Sequence, residues 1–541
     1  MHALNLVLFA VTLAHAKQVV RNWDITYLTT NRGLDTPPKR GITVNGAFPI
    51  PAVEATIGDT LVLNIHNSLD VPTSLHTHGI FQRGTNYYDG VSMTTECSTA
   101  PGSNFTYRIP LNQAGTFWIH GHTNEQLFDG LRIPLIIHDQ EEPYEYDDEF
   151  TLAVEDWWPI TFDDFLAMEI APRASAMPLD PPPRLLVNGL SVNGTQSIGF
   201  EPGNTYRIRL IAMLSMPLFE FSIDDHDLQV IEVDSINTKP KTVKVVQLAA
   251  GQRVSVLVKA KDSAELNYNF HVNMLADFLP KIPGTFPSMF NGTVVYSPSA
   301  PLFNATSIPS EPFDDLSIET LEDHPLLEPD RSIFLYTPIG ITAQFSAHES
   351  FNYIAYEAPK VPTMFSALTT GGMSLNPITY GPQTNAQVLK YQEVVEVIVW
   401  NTQFSPHPFH LHGHAFQIVE RGQVSDTTGD TRRAVPSSDH SPVTRDTVYV
   451  PQDEYAVIRF RADNPGAWLF HCHFDLHMGM GLNMVFVEAP EMMRKVISVP
   501  QSVVDQCKQR GIGYSGNVVG HTTYNYDGAA GLGHLIAVPG L

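Results

Sequence analysis

Three consecutive residues, His471-Cys472-His473, carry more chemical information than any others in the chain. In an extended strand neighbouring side chains alternate, so the thiol faces one way, both imidazoles the other, and one strand serves two metal sites. A cysteine thiolate with two further imidazoles, for which His407 and His477 are the natural partners, makes the trigonal set that suits a copper passing one electron at a time. Eight histidines remain as four H-x-H pairs: His76 and His78, His120 and His122, His410 and His412, His471 and His473. Imidazoles without thiolate suit copper that binds and reduces dioxygen. The peptide joining Cys472 to its two neighbours would then be a short covalent path for electrons between the centres. One H-x-H alone is as easily a pair of surface histidines.

Repetition argues against that plain reading. Asn67 precedes His76 by nine positions, and Asn401 precedes His410 by the same nine. GTFWIHGH (115–122) mirrors GAWLFHCH (466–473), and FSIDDHDLQVIE (221–232) lies over FHLHGHAFQIVE (409–420) without a gap. In that middle copy Ser222 and Asp224 stand where the third copy has His410 and His412. The first and third units therefore share the chemistry, and the middle unit keeps the frame without the ligands. Apolar and β-branched runs at 60–65, 394–400 and 455–460 are separated by Gly, Pro, Asn and Asp clusters, and long amphipathic stretches are scarce. This pattern predicts an all-β chain of three consecutive β-sandwich units. An acidic stretch at 141–149 and a Pro-, Ser- and acid-rich one at 297–330 place the units at 17–145, 146–300 and, with its linker, 301–500, followed by a tail at 501–541.

A chain of 541 residues with 43% hydrophobic content can bury several cores. Its formal charge of −25 would repel polyphosphate, which excludes nucleic acid as a partner. The apolar run at 4–13, then Ala14-His15-Ala16, reads as an export signal over 1–16, cleaved before Lys17. No later segment is long and apolar enough to span a bilayer. The expectation is a secreted monomer, with cell-wall association left open, and sequons at Asn104, Asn193, Asn291 and Asn304 agree with a glycoprotein. Of three cysteines, Cys472 has a metal to hold, which leaves Cys97 and Cys507 to form a disulfide.

The four histidine blocks, HTHG (76–79), WIHGH (118–122), HPFHLHGH (407–414) and HCHFDLH (471–477), closely resemble the copper signatures of the multicopper oxidases, which include laccases, ascorbate oxidases and fungal iron oxidases. The resemblance covers nearly the whole chain. It implies cupredoxin-like Greek-key domains and four copper ions: one type 1, one type 2 and two type 3. Carried over, it makes His407, Cys472 and His477 the type 1 ligands and His76 and His410 the type 2 pair. His78, His120, His122, His412, His471 and His473 would hold the type 3 pair. At the family's axial position stands Leu482, whose lack of a thioether should favour Cu(I) and raise the potential; Met478 and Met480 are assigned to packing. Asp89 and Asp475 match positions that relay protons to the dioxygen site, with a buried hydrogen-bonding role as the plainer alternative.

The resemblance implies a small reducing substrate besides dioxygen, and two readings compete. TECSTAPGSNFTY after YYDG looks like fungal laccases, which oxidise phenols and aromatic amines; LNPITYGPQTNAQVLKYQEVVEVIVWN looks equally like fungal ferroxidases. An iron oxidase needs carboxylates, since hard oxygen ligands stabilise the more charged ion. Glu155, Asp156 and, by a looser match, Asp277 are candidates, while Gln403 stands where ferroxidases carry an iron-binding aspartate. The laccase reading lacks its own acid, replaced by Met216. The absence of a membrane tether tips the preference to a secreted laccase, with Asp156 among the catalytic residues and a ferroxidase as the alternative. A copper carrier or electron-transfer protein without catalysis would need only the Cys472 site, so eight further histidines argue against it.

Overall fold

The computed structural model describes residues 16–32, 38–170, 183–191, 195–275, 288–308, 313–342, 346–425, 433–434, 441–529 and 536–537. The export signal, apart from Ala16, and the candidates Asp277 and Asn193 lie outside the described residues.

The ligand-bearing sheets of the first and third units have the same strand order. In the first, Val53–Thr56, Arg132–His138, Gly115–Gly121 and Leu75–His78 lie side by side. In the third the matching order is Gln387–Leu389, Asn483–Glu488, Gly466–Cys472 and His407–Leu411, with Thr447–Val450 at the edge. Each is backed by a second sheet to close a sandwich, and the middle unit pairs a seven-stranded with a five-stranded sheet. Antiparallel register sets His76 opposite His120 in the first unit and His410 opposite His471 in the third.

The repeated asparagines have one structural job. Asn67 accepts from the backbone N–H of Leu69 and donates to the carbonyls of Val71 and Thr99. Asn401 accepts from Gln403 N–H and donates to the carbonyls of Ser405 and Pro451. Each side chain thereby ties a turn that would otherwise carry unpaired backbone groups, and so fixes where the histidine strand begins. The middle unit also keeps a trace of the site. Ser222 sits opposite His271 as His410 sits opposite His471, and Asp224 lies 3.0 Å from His271 Nε2. A carboxylate–imidazole contact occupies the place of a metal.

The cores are continuous across units. Ala467, Leu469, Val485 and Val487 of the third unit pack with the first unit's core, while Phe409, Phe470 and Leu482 pack with that of the middle unit. The segment expected as a tail is partly helical: Gln501–Gln509 forms a helix, and Val503 and Cys507 join the first unit's core. The Cys97–Cys507 disulfide pins it there across 410 residues, restricting the unfolded chain by an amount on the order of 5 kcal/mol in the chain-entropy picture.

Beside that disulfide, Glu96 is buried with one oxygen accepting from the Tyr107 hydroxyl at 3.1 Å, and burial pushes its carboxyl up to about 8. Because the folded value is raised, its contribution to stability is full below the ordinary carboxylate range and is lost as pH rises through about 8. Glu96→Gln is therefore expected to raise Tm relative to the parent at about pH 8, by one to a few degrees, and to change it little near pH 5. Parallel Tm–pH curves for the two proteins would show that Glu96 carries no such penalty.

Candidate metal centre

Cys472 ends its strand with Phe409 opposite it, and the helix Asp475–Gly479 follows two residues later, returning His477 to the same point. Cys472 Sγ lies 3.5 Å from His407 Nδ1 and 3.6 Å from His477 Nδ1, and the two nitrogens are 2.9 Å apart. Three soft or borderline donors thus converge on one buried point, as a trigonal His₂Cys copper requires. Burial holds the thiol well above its ordinary range and lowers both imidazoles, His477 to about 3, so without a cation all three are neutral. Leu482 is fully buried and its carbonyl accepts from Cys472 N–H at 3.1 Å.

The other eight histidines meet at the seam of the first and third units, and their hydrogen bonds dictate which nitrogen carries the lone pair. His76 Nδ1–H donates to the Asp89 carbonyl at 2.7 Å, His410 Nδ1–H to the Asp446 carbonyl at 2.9 Å, and His120 Nδ1–H to the Gly121 carbonyl at 3.1 Å. The Nε2 atoms of all three are buried without a hydrogen-bond partner. His412 Nδ1–H donates to Asp89 Oδ2 at 3.0 Å and His471 Nδ1–H to the Cys472 carbonyl at 2.9 Å. Their two Nε2 lone pairs then face each other at 3.1 Å. Lone pairs facing at that distance repel unless a cation lies between them, and this is the observation on which copper fits the site. Burial, reinforced by neighbouring imidazoles, holds His78, His120, His122, His412, His471 and His473 well below the ordinary histidine value, as neutral ligands. A cleft of about 430 Å³, lined among others by His122, Glu125, Tyr356 and Met478, opens onto this seam.

All eleven residues singled out as ligands are therefore brought together in two groups, His473 joining the larger through its Nε2, 3.2 Å from His78 Nδ1. Asp89 sits among them. Asp475 is buried below His477, one oxygen without a partner, and burial followed by the charges of Glu125 and Asp156 holds its carboxyl well above its ordinary range. Asp156, expected among the catalytic residues, is bonded on both oxygens. Its carboxylate is fully engaged by Arg132 at 3.0 Å, Trp158 Nε1 at 2.9 Å and the backbone and hydroxyl of Ser215, while Glu155 is bound by Arg32 and Arg132. Both tie the middle unit to the first through Arg132 and Arg32. Met216 is core packing. Two residues went unnoticed in the sequence. Glu349 Oε1 lies 3.7 Å from His477 Nε2, and its other oxygen accepts from Gln403 Nε2 at 3.0 Å. Asp446 lies 3.1 Å from His78 Nε2 and is gripped by Arg253. No sequence repeat marks the first; the second stands next to a strand whose neighbours, Arg445 and Thr447, offered no metal-ligand spacing.

Family models described as multicopper oxidase match residues 25–142, 148–287 and 356–492. The chain belongs to the multicopper oxidases, enzymes that hold four copper ions. It is 38% identical to the iron multicopper oxidase fer1 of Mycosarcoma maydis, covering 96% of this chain and 88% of that one. It is 35% identical to the iron transport multicopper oxidase fio1 of Schizosaccharomyces pombe, covering 99% and 86%. Among solved structures it resembles Fet3p, a multicopper oxidase that functions in iron import, with a TM-score of 0.88, 30% identity and coverage of 95% and 99%. It also resembles the laccase of Botrytis aclada, with a TM-score of 0.77, 26% identity and coverage of 92% of each chain. No helix among the described residues is long and apolar enough to cross a membrane.

Proposed function

We propose that this multicopper oxidase is a ferroxidase, taking electrons from Fe(II) at the Cys472 site and passing them to dioxygen at the histidine cluster. The laccase reading preferred from the sequence gives way to its alternative. The observation that carries the change is Glu349, a buried carboxyl whose oxygen lies 3.7 Å from the Nε2 edge of His477; burial pushes it up to about 8, so it ionises as a cation approaches and gives up its proton to bind it. A hard oxygen ligand there favours Fe(III) over Fe(II), so it promotes loss of the electron at the atom nearest the acceptor. Gln403 cannot supply that charge, but its amide donates to Glu349 and to no other carboxylate in the described residues, which holds the acid in place. The names of the relatives, an iron multicopper oxidase and an iron transport multicopper oxidase, support the same reading.

In this assignment His407, Cys472 and His477 hold type 1 copper, with Leu482 as a non-coordinating axial neighbour. His76 and His410 hold type 2. His78, His120 and His473 hold one type 3 ion, and His122, His412 and His471 the other. When bound, the copper ions supply one-electron acceptance and four-electron reduction of dioxygen. Four Fe(II) become four Fe(III), and one dioxygen takes up four protons to give two waters, so carboxyl groups must deliver protons; we assign that role to Asp89, which bonds His412, and to Asp475, which keeps one oxygen without a partner. Strand alternation at 471–473 joins the two centres through the Cys472 backbone. We place the units at 17–145, 146–300 and 301–500, and read the chain as exported.

Glu349→Gln tests the iron assignment. The ratio of kcat/KM for Fe(II) to that for 2,6-dimethoxyphenol is expected to fall about 10- to 100-fold, the loss of one charge-assisted contact worth about 1.5–3 kcal/mol. An unchanged ratio would remove Glu349 from the substrate site.

A further inference from the structure

Two aspartates, Asp89 of the first unit and Asp446 of the third, occupy crosswise equivalent places around the histidine cluster. The backbone carbonyl of each accepts from Nδ1–H of the first histidine in its own unit's H-x-H pair, His76 at 2.7 Å and His410 at 2.9 Å. The carboxylate of each then reaches across the seam to the second histidine of the other unit's pair: Asp89 Oδ2 to His412 Nδ1 at 3.0 Å, Asp446 Oδ1 to His78 Nε2 at 3.1 Å. The sequence hides the equivalence, because Asp89 follows His76 by 13 residues and Asp446 follows His410 by 36.

The two are not alike in their further bonds. Asp89 Oδ1 has only His76 Nδ1 nearby, at 3.2 Å, whose proton is already given to the Asp89 carbonyl. Asp446 is held on both oxygens by Arg253 of the middle unit, at 2.9 and 2.7 Å, and by the Thr447 hydroxyl at 2.8 Å. The same turn of the middle unit lies against the cluster itself. A Cβ on Gly251 would come within 2.8 Å of His473 Cδ2 and 3.1 Å of His78 Cε1, and its φ of +88° suits glycine. The unit that lost its own ligands thus touches both rings that share one metal position, and supplies the cation that fixes the carboxylate behind one of them.

We infer that Asp446, anchored by Arg253, is the positioning residue that keeps the His78 proton on Nε2 and so makes Nδ1 the metal-binding atom of that ring. His78 Nδ1 lies 3.2 Å from His473 Nε2, so the choice of nitrogen decides whether this pair faces a metal with two lone pairs or with one. His412 shows the opposite choice, with its proton on Nδ1, because its aspartate approaches from the other edge. The copper-free middle unit is in this sense part of the cluster: it holds the acceptor that orients a ligand of the first unit. The inference rests on the ligand assignment above, which the copper content of the unaltered protein tests by itself.

Asp446→Ala removes the acceptor and the ion pair together, whereas Asp446→Asn keeps an acceptor oxygen for His78 and loses only the charge facing Arg253. The blue type 1 absorption and its paramagnetic resonance signal should survive in both. Asp446→Ala should lose type 3 absorption and bind cluster copper about 10- to 100-fold more weakly, and Asp446→Asn should recover most of that loss. Equal depletion in the two variants would place the effect on the ion pair and overturn the assignment, as would an intact type 3 band in Asp446→Ala. A measurement on the unaltered protein needs no variant: in the fully reduced, diamagnetic Cu(I) form labelled with nitrogen-15 histidine, His78 should carry its proton on Nε2 and His76, His410, His412 and His471 theirs on Nδ1. A proton on His78 Nδ1 would refute the inference. Fewer than four coppers in the unaltered protein would instead refute the ligand assignment.

Discussion

Cys472→Ser should leave a folded, colourless protein whose Fe(II)-dependent oxygen uptake has fallen by at least about 10³-fold, a rise in barrier of about 4 kcal/mol. Serine nearly matches cysteine in shape, so the core around Phe409, Phe470 and Leu482 has little reason to move. What disappears is the only thiol donor, since the other two cysteines are joined to each other. His407 and His477 alone offer a weaker site, so copper content should drop from four to three. His471 and His473 keep their own partners, so the histidine cluster should still bind its metal. Metal analysis together with oxygen uptake checks both halves. A variant that kept a tenth of the parent rate would mean that electrons reach the cluster without passing Cys472.

The second large effect concerns how the middle unit is held to the third. Asp234 is fully buried, and its carboxylate accepts from Arg445 Nε at 2.9 Å and Nη2 at 3.0 Å, and from the backbone N–H of Arg253 at 2.8 Å. Arg445 also pairs with Asp315, and Arg253 with Asp446, so alternating buried charges run from Asp315 to the back of the histidine cluster. The Asp234 backbone has a φ of 45°, a conformation asparagine tolerates and alanine does not, which makes Asp234→Asn the informative change. It keeps the shape and leaves two buried guanidinium groups short of one negative charge. Breaking a buried pair in this way costs about 3–5 kcal/mol. The melting transition seen by calorimetry should move down and broaden, with the middle and third units separating before either unfolds. An unshifted transition would mean that water or rearranged neighbours already compensate the charge.

The parts of the site that follow from period and repetition were legible in the sequence. Alternation along one strand is sufficient to separate Cys472 from His471 and His473, and the structure divides them in that way. The equal spacing from Asn67 and Asn401 marked two copies of one turn, and the same side-chain bonds appear in both. What escaped was set by tertiary approach. Asp156 and Glu155 look like free acids in one dimension, but Arg132 and Arg32 reach them from 23 to 123 residues away and use up their charge. Glu349 carries no motif, because its meaning comes only from the helix that brings His477 to it. The helix Gln501–Gln509 is too short to announce itself by periodicity, and its partner surface lies at the other end of the chain. The mutual service of Asp89 and Asp446 is invisible for the same reason: their offsets from their histidines differ, and only the folded seam makes them equivalent.

The most direct test is oxygen uptake by the copper-loaded protein with Fe(II) and with 2,6-dimethoxyphenol under matched conditions, comparing kcat/KM and the amount of substrate consumed per dioxygen. A ferroxidase with the geometry described will consume four Fe(II) for each dioxygen, release no peroxide, and favour Fe(II) by at least about tenfold. Faster turnover of the phenol would contradict the role given to Glu349 and return the site beside His477 to an organic substrate.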